Sequence, residues 1–287
     1  MTPHPPGQCE LATFRRADFQ FLSETIRQRT GIVIGESKRD MVYGRIRRRL
    51  KALDIGSIGD YCSLIKSTAG AAEIANLVNA ITTNHTNFFR ESHHFDHLQK
   101  VSLPYWRRSI AGRQPRRLRI WSAGCATGEE PYSIAMALHA VVGGDTGWDA
   151  RILATDIDTN ALETARRGIY LKENVKRVPA NIRFNSFIAA GQEGCRTMVQ
   201  VTPVLHRCIA FRQLNLLGAW PMKGPFNAIF CRNVMIYFDR RTQTNLVERF
   251  LSLLAPGGWL FIGHSESGAV NGQNLEIAGR TIFRKAP

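Results

Sequence analysis

The chain has 287 residues, 44% of them hydrophobic, and its 38 Lys and Arg residues against 23 Asp and Glu give a formal net charge of +15. No apolar run approaches the roughly 20 residues needed to cross a bilayer, and the N-terminus lacks the apolar stretch of a secretion signal, so we expect a soluble, intracellular protein with two domains. The positive charge favours an anionic partner, but nucleic acid and an acidic protein surface would satisfy it equally.

Residues 1–85 are predicted to form a small helical bundle, because their apolar residues recur at spacings of three and four. Helices are expected at about 19–26, 42–53 and 74–81. A further short helix should begin after Ser57, with Asp60 at the position of a capping box.

The helix at 42–53 carries Arg45, Arg48 and Lys51, which are spaced by three residues and so lie along one side of it. A solvated helix face usually mixes charges of both signs, but no acid stands between residues 41 and 53. We therefore favour a docking surface for an acidic partner over the alternative, a solvated face.

The next segment, 86–117, is expected to be a linker that contains one helix. From residue 118 onward, strands and helices alternate, which predicts a domain at 118–287 with a mostly parallel sheet covered by helices. The predicted strands are 118–122, 151–155, 226–231 and 259–263, and the predicted helices are 131–142, 160–167 and 242–254. The segments 198–204 and 207–214 predict a small antiparallel hairpin, within an insertion at about 183–214.

Residues 119–133 form an apolar strand followed by a glycine-bearing turn that ends in Glu129, Glu130 and Pro131. A phosphate-binding loop needs a Lys and a Ser or Thr at its end, and a dinucleotide-binding loop needs three closely spaced glycines. Two carboxylates at a helix N-terminus would instead repel a phosphate and attract an ammonium or a sulfonium group. The run therefore favours S-adenosylmethionine, although taken alone it also fits a strand-to-helix turn with solvated acids.

Other polar residues follow the predicted strands, at the edge where ligands bind in a doubly wound sheet. Asp156 could accept hydrogen bonds from ribose hydroxyls; it could also cap the next helix, but Asp158 or Thr159 can serve that purpose. Asn215 follows the predicted inserted hairpin, and the pair Arg232 and Asn233 follows the next strand. An Asn amide offers the donors and acceptors that an adenine edge requires, although Asn at a strand end is commonly a turn residue.

Two other kinds of site are not favoured. His93 and His97 are one helical turn apart, with His94 beside them, but no acid or cysteine offers a third ligand at a recognisable spacing, and the six cysteines form no C-x-x-C pair. We therefore predict no metal site. A serine hydrolase is poorly supported because the chain has no G-x-S-x-G motif.

Together these features make the sequence resemble the chemotaxis receptor methyltransferases of the CheR type, protein-glutamate O-methyltransferases that esterify chemoreceptor glutamates with S-adenosylmethionine. The matching runs occur in order at 82–91, 93–95, 121–133, 155–158, 215–217 and 229–238. The resemblance implies an α/β fold: a small N-terminal helical bundle, then a Rossmann-like class I S-adenosylmethionine-dependent methyltransferase domain with an inserted small antiparallel β-subdomain.

The resemblance also implies roles for individual residues. Arg90 and Tyr237 would lie nearest the transferred methyl group, where the alternatives are a structural salt bridge for Arg90 and a core aromatic for Tyr237. The β-subdomain would bind the receptor, in some family members through a tethering peptide at the receptor's C-terminus. The residues implied to line the cofactor pocket are Asn84, Thr86, Arg90, Glu130, Asp156, Asn215, Leu216, Arg232 and Asn233.

The implied chemistry agrees with the residues. A glutamate with a pKa of about 4.3 is ionised at neutral pH, so its methylation needs no general base, only positioning and the removal of water. An RNA methyltransferase and a non-catalytic cofactor-sensing scaffold are the alternatives. The first is disfavoured because the strand at 226–231 is not followed by a loop with paired prolines. We expect a cytoplasmic monomer that is recruited to receptor clusters, does not insert into the membrane and does not bind nucleic acid.

Overall fold

The computed structural model describes residues 14–109, 116–143, 145, 147–270 and 274–286. The chain divides into two compact units. A helical unit comprises Met1–Thr83 with Tyr237–Asp239, and a sheet unit comprises Asn84–Ile236 with Arg240–Pro287. The division falls two residues before the domain boundary expected at residue 85. None of the helices in the described residues combines the length and the apolar character that a membrane span requires.

The helical unit contains the four predicted helices. They are α1 (Arg16–Thr30), α2 (Arg39–Leu53), α3 (Ile58–Lys66) and α4 (Ala71–Ile81). Their apolar faces meet in one core, in which Leu22, Ile46 and Leu77 are fully buried. The predicted cap is confirmed, since the Ser57 side chain accepts a hydrogen bond from the Asp60 amide at 3.1 Å.

A buried polar cluster joins three helices of this unit. The Glu73 carboxylate on α4 accepts two hydrogen bonds from the Arg49 guanidinium on α2, at 2.9 and 2.8 Å, and one from the Tyr61 hydroxyl on α3, at 2.9 Å. Both oxygens of the Glu73 carboxylate are therefore paired, as a buried carboxylate requires.

The sheet unit alternates strands and helices, as predicted. Its helices are α5 (His93–His97), α6 (Leu103–Ser109), α7 (Glu129–Val142), α8 (Thr159–Arg167), α9 (Ala180–Arg183), α10 (Pro203–His206) and α11 (Arg240–Leu253). Its strands are β1 (Arg116–Ala123), β2 (Trp148–Asp156), β3 (Ile169–Leu171), β4 (Phe187–Glu193), β5 (Arg196–Val201), β6 (Ile209–Gln213), β7 (Phe226–Cys231), β8 (Leu254–Ile262), β9 (Leu275–Gly279) and β10 (Ile282–Lys285).

Seven strands form one sheet in the order β6-β2-β1-β7-β8-β10-β9. The first five of these pair in parallel, and β10 pairs antiparallel to both β8 and β9. The carboxyl ends of β6, β2, β1, β7 and β8 therefore meet at one edge. From β1 the sheet extends to one side through β2 and β6 and to the other side through β7 and β8. The turns after β1, β2 and β7 therefore frame the crevice where such sheets bind ligands.

The predicted antiparallel β-subdomain is present, but its expected hairpin is wrong. The strand β5 pairs antiparallel with β4 and with β3, whereas β6 pairs parallel with β2 at the edge of the large sheet. Between β5 and β6 the short helix α10 starts at Pro203 and separates the two strands. The β-subdomain therefore spans residues 169–201, not 183–214, and the strand at 207–214 belongs to the main sheet because Ile209 and Phe211 are buried against it.

The segment expected as a linker packs into the core of the sheet unit. Phe88, Phe95, Leu98 and Trp106 are buried there, together with residues of β1, α7 and β7. As far as residue 109, this segment is therefore part of the sheet unit and covers one side of its sheet.

Candidate functional site

The turn after β1 depends on glycine at two positions. Gly124 and Gly128 have φ angles of 84° and 101°, in the region that other residues rarely adopt. A Cβ atom on Gly124 would lie 2.3 Å from the Val234 side chain, and one on Gly128 would lie 2.9 Å from the Ala165 Cβ. Only glycine lets the turn approach its neighbours so closely before α7 begins.

The two acids that follow are buried at the N-terminus of α7. The Glu129 carboxylate accepts a hydrogen bond from the Thr127 hydroxyl at 2.6 Å, and the Glu130 carboxylate accepts one from the Ser122 hydroxyl at 2.7 Å. Burial raises the pKa of both carboxyl groups above the ordinary glutamate value, and hydrogen bonds offset part of that shift. The alternative of solvated acids is therefore wrong.

Arg232, at the end of β7, is a buried counterion in the wall of the site. Its guanidinium lies 3.1 Å from the Glu130 carboxylate and 3.4 Å from that of Glu91, and it donates a hydrogen bond to the Arg90 carbonyl. Glu91 has a positive φ of 54°. The Arg232 side chain thus fixes the loop that carries Arg90 against the N-terminus of α7. Its contact with a cofactor stays a prediction.

Asp156 ends β2 and faces the glycine turn. Its carboxylate accepts hydrogen bonds from the Ala126 amide at 2.8 Å and the Asp158 amide at 2.9 Å. Burial raises the pKa of Asp156, against the opposing effect of those amides. Asp158 caps α8 through the amides of Asn160 and Ala161, which confirms that Asp156 is not needed as the cap. The ribose-binding role of Asp156 stays a prediction.

Two further predicted residues lie near Asp156. The Asn84 side chain donates a hydrogen bond to the Asp158 carboxylate at 2.6 Å. Asn215 follows β6, whose last residues pair with Thr155 and Asp156, and its side chain accepts a hydrogen bond from the Leu217 amide. The structure therefore brings Asn84, Asp156 and Asn215 to the same edge of the sheet.

Arg249, on α11, holds the loop that contains Asn215 and Leu216. The Arg249 guanidinium donates to the carbonyls of Leu216, at 2.7 Å, and Gly218, at 2.6 Å, while it stacks 3.8 Å from the centre of the Trp220 ring. The sequence alone did not identify this support, because Arg249 is one of many arginines and lies more than 30 residues from its partners.

The remaining predicted residues have different surroundings. Asn233 has a positive φ of 59°, and its amide is bonded to Glu266. The Arg90 guanidinium donates to the His85 carbonyl at 3.0 Å, and Thr86 is half-buried in the same loop. Tyr237 belongs to the helical unit, where its carbonyl accepts a hydrogen bond from the Val33 amide at 2.9 Å. The proposed role of its ring stays a prediction.

The predicted docking residues divide into two groups. Arg48 and Lys51 are exposed on α2. Arg45 is half-buried, and the expectation that it lies free on the same surface is wrong, because its guanidinium is engaged at the C-terminus of α4. It donates to the carbonyls of Ala80, Ile81 and Thr82 and to the hydroxyl of Thr83. An arginine there satisfies helix carbonyls that have no partner within the helix.

Three groups near Arg232 lie within metal-ligating reach of one another. Glu91, His93 and His94 each offer a ligand atom within 4.8 Å of the others. Glu91 is paired with Arg232, and burial lowers the pKa of His94 to about 2, so the imidazole is neutral. Glu91 is thus an acid beside the two histidines, and the expectation of no metal site stays a prediction.

The arrangement suits a ligand with both hydroxyl and cationic groups. Both oxygens of the Asp156 carboxylate accept backbone amides, those of Ala126 and Asp158 among them, and its remaining lone pairs can accept the hydroxyls of a ribose. Among the described residues Arg232 pairs with both Glu130 and Glu91, so one buried and one half-buried carboxylate face one buried guanidinium. A ligand ammonium near Glu130 would improve that balance of charge.

Comparisons with known proteins agree with this geometry. Residues 17–82 match the model of the CheR methyltransferase all-alpha domain, and residues 84–283 match that of the CheR methyltransferase SAM-binding domain. A chemotaxis protein methyltransferase of Klebsiella aerogenes is 42% identical over 93% of this chain and 89% of its own length. Chemotaxis protein methyltransferase 2 of Pseudomonas aeruginosa is 41% identical over 99% of both chains, and the chemotaxis protein methyltransferase of Escherichia coli is 41% identical over 93% of this chain and 90% of its own.

Proposed function

The chain belongs to the CheR methyltransferase family, and on that premise we propose that it transfers the methyl group of S-adenosylmethionine to glutamate side chains of chemoreceptors. The observation that carries the proposal is a pair of buried carboxylates: Asp156, at the carboxyl end of β2, and Glu130, at the N-terminus of α7, the helix that follows the neighbouring strand β1. These acids suit the cationic and the ribose ends of this cofactor and would repel a phosphate.

The cofactor supplies an electrophilic methyl group on its sulfonium when it is bound. Asp156 would accept hydrogen bonds from the ribose hydroxyls, and Glu130 would pair with the ammonium. Asn84, Thr86, Asn215, Leu216, Arg232 and Asn233 would complete the pocket. Support for this set comes from the hydrogen bonds that link Asn84 to Asp158 and Arg232 to Glu130.

The acceptor glutamate requires positioning more than proton transfer. Because its carboxylate is ionised at neutral pH, no residue has to remove a proton before the methyl group moves. Arg90 would orient the carboxylate, and Tyr237 would donate a hydrogen bond or close the pocket against water. Arg232 holds the loop through the main-chain carbonyl of Arg90, and the only hydrogen bond of the Arg90 guanidinium among the described residues goes to the His85 carbonyl.

The helical unit would dock an acidic face of the receptor. A groove of about 560 Å³ is lined by Arg47, Arg48 and Lys51, together with Tyr43 and Ile58. The three cations are exposed, and exposed charges of one sign raise the rate of encounter with an acidic partner. Arg45 supports this surface through its bonds to the end of α4 and is not itself a docking residue in the proposal.

The β-subdomain would hold a tethering peptide, if the receptor has one. A second groove, of about 840 Å³, runs beside β5. Its cationic lining residues are Lys172, Lys176, Arg183 and Arg196. A basic groove beside a short antiparallel sheet suits an extended acidic segment. We further propose that the protein acts as a cytoplasmic monomer recruited to receptor clusters and does not bind nucleic acid.

The test is methyl transfer from labelled S-adenosylmethionine with three acceptors in parallel: membranes that contain chemoreceptors, the same membranes without them, and total RNA. The proposal expects label only in the receptor band, released as volatile methanol by mild base. Label in RNA would favour the alternative methyltransferase. Cofactor binding without transfer to any acceptor would favour a non-catalytic scaffold.

A further inference from the structure

A buried glutamate lies behind the turn that carries Asn233. The strands β7 and β8 run side by side, with Cys231 opposite Ile262, so the turns that follow them start next to each other at the carboxyl edge of the sheet. Glu266 lies in the second of these turns, in a 3₁₀ helix at His264–Val270, and is only 2% exposed.

The carboxylate of Glu266 is directed at backbone amides of both turns. Its Oε2 atom accepts hydrogen bonds from the amides of Asn233, at 2.9 Å, and Gly263, at 2.6 Å, and its Oε1 atom accepts one from the amide of Ile236, at 3.2 Å. Across the residues that the structure describes, Glu266 takes part in no ion pair. Backbone dipoles therefore balance its charge, and such charge-assisted bonds are stronger than neutral ones.

The turn after β7 adopts a conformation that needs such support. Asn233 has a φ of 59°, which costs free energy for a residue other than glycine. The fit is close on the other side as well. A Cβ atom on Gly263 would lie 2.5 Å from the Glu266 carboxylate and 2.8 Å from the Asn233 amide nitrogen. The Asn233 side chain lies there too, since its Nδ2 atom would be 2.7 Å from the same Cβ atom, so this turn fits against residue 263 only because that residue is glycine.

We propose that Glu266 is a positioning residue, which holds the turn 232–236 in the conformation that presents Asn233 to the cofactor. The inference rests on the proposed function for the identity of the ligand, but the hold on the turn rests on the hydrogen bonds alone. A role as a general base is disfavoured, because both carboxylate oxygens already accept backbone hydrogen bonds and the residue is buried.

The test compares Glu266→Gln with Glu73→Gln in the full chain. Glu73 is a matched control, since its carboxylate is also buried and accepts several hydrogen bonds, but it lies in the core of the helical unit. Hydrogen exchange at the amides of Asn233, Ile236 and Gly263 is measured without ligand. The affinity for S-adenosylhomocysteine is then measured by calorimetry on the folded variants, and the Michaelis constant and turnover number are measured in the methyl-transfer assay.

We expect Glu266→Gln to raise exchange at the three backbone amides by about tenfold or more and to weaken the binding of S-adenosylhomocysteine by a similar factor. The glutamine side chain has an NH₂ group in place of one carboxylate oxygen, and that group must face one of the backbone N–H donors. Glu73→Gln should lower the melting temperature but change neither quantity. Glu266→Asp should raise exchange in the same way, because its side chain is one methylene shorter and draws the carboxylate away from the three amides, and it decides the question if Glu266→Gln does not fold.

Two results would overturn the inference. Unchanged exchange in the folded Glu266→Gln variant would mean that the carboxylate does not hold the turn. Raised exchange with unchanged affinity would mean that the turn does not position the cofactor. If the wild-type protein itself bound no S-adenosylhomocysteine, the proposed function would fail, and the exchange data would still decide whether Glu266 holds the turn.

Discussion

Replacing Asp156 with asparagine should weaken the binding of S-adenosylhomocysteine by about 10- to 150-fold. The carboxylate already accepts the amides of Ala126 and Asp158, so its remaining lone pairs are the ones offered to the ribose. Asparagine has one acceptor oxygen for these donors, so at least one charge-assisted hydrogen bond is lost. Such a bond contributes roughly 1.5 to 3 kcal/mol, and each 1.4 kcal/mol is about a tenfold change in affinity.

The substitution also affects folding, which the assay must separate from binding. One backbone amide of the turn would face the asparagine NH₂ group, at a cost of about 1 to 3 kcal/mol in the free energy of unfolding. Asp145→Asn is the matched control. Its carboxylate likewise accepts a backbone amide, that of Gly147 at 3.0 Å, but it lies before β2, whereas Asp156 ends that strand.

Calorimetry with S-adenosylhomocysteine on both variants, after circular dichroism has confirmed their fold, provides the measurement. The account expects a lower melting temperature in both variants and weaker binding only in Asp156→Asn. If a folded Asp156→Asn protein binds with the wild-type affinity, the assignment of Asp156 to the ribose is wrong.

Three other predictions follow from the same contacts. Arg90→Ala should lower the turnover number at least tenfold with little change in melting temperature, since the guanidinium makes a single bond to a carbonyl; equal losses in both would indicate a structural arginine. Burial raises the pKa of Glu130, and its ionised form would bind the ammonium, so cofactor affinity should be full above that raised pKa and fall as pH drops through it. In calorimetry Glu130→Gln should bind the cofactor weakly, with a flatter pH profile. Charge reversal at Arg48 and Lys51 should slow receptor methylation and reduce its dependence on salt without changing cofactor affinity, whereas Arg45→Ala should mainly lower the melting temperature; wild-type rates across a salt titration would refute the docking surface.

Local sequence patterns were enough to predict much of the fold. The helices α1 to α4 were located because their apolar spacing is helical, and the cap at Ser57 followed from one residue pair. The alternation of strands and helices predicted a parallel sheet. Residues that follow parallel strands lie at one edge of the sheet, so Asp156 and the glycine turn could be assigned to the same site. These features depend on residues that are close together in the sequence, so one sequence is enough to predict them.

Contacts between distant segments could not be predicted. Whether β5 pairs with β4 or with β6 depends on a choice between partners with similar strand propensity, and only the tertiary structure reveals it. Arg45 looked like a free cation because the carbonyls that it binds belong to another helix. Nothing in the local sequence links Glu266 to the turn that it supports, since its amide partners lie up to 33 residues away.

The most direct test of the central claim is mass spectrometry of chemoreceptor peptides after incubation with the purified protein and S-adenosylmethionine. The account predicts glutamate residues that are heavier by one methylene group, with the added mass lost on mild base treatment, and the same peptides unmodified with the Asp156→Asn variant at limiting cofactor. Modification that survives base, or that falls on residues other than glutamate, would contradict the proposal that this protein forms glutamate methyl esters.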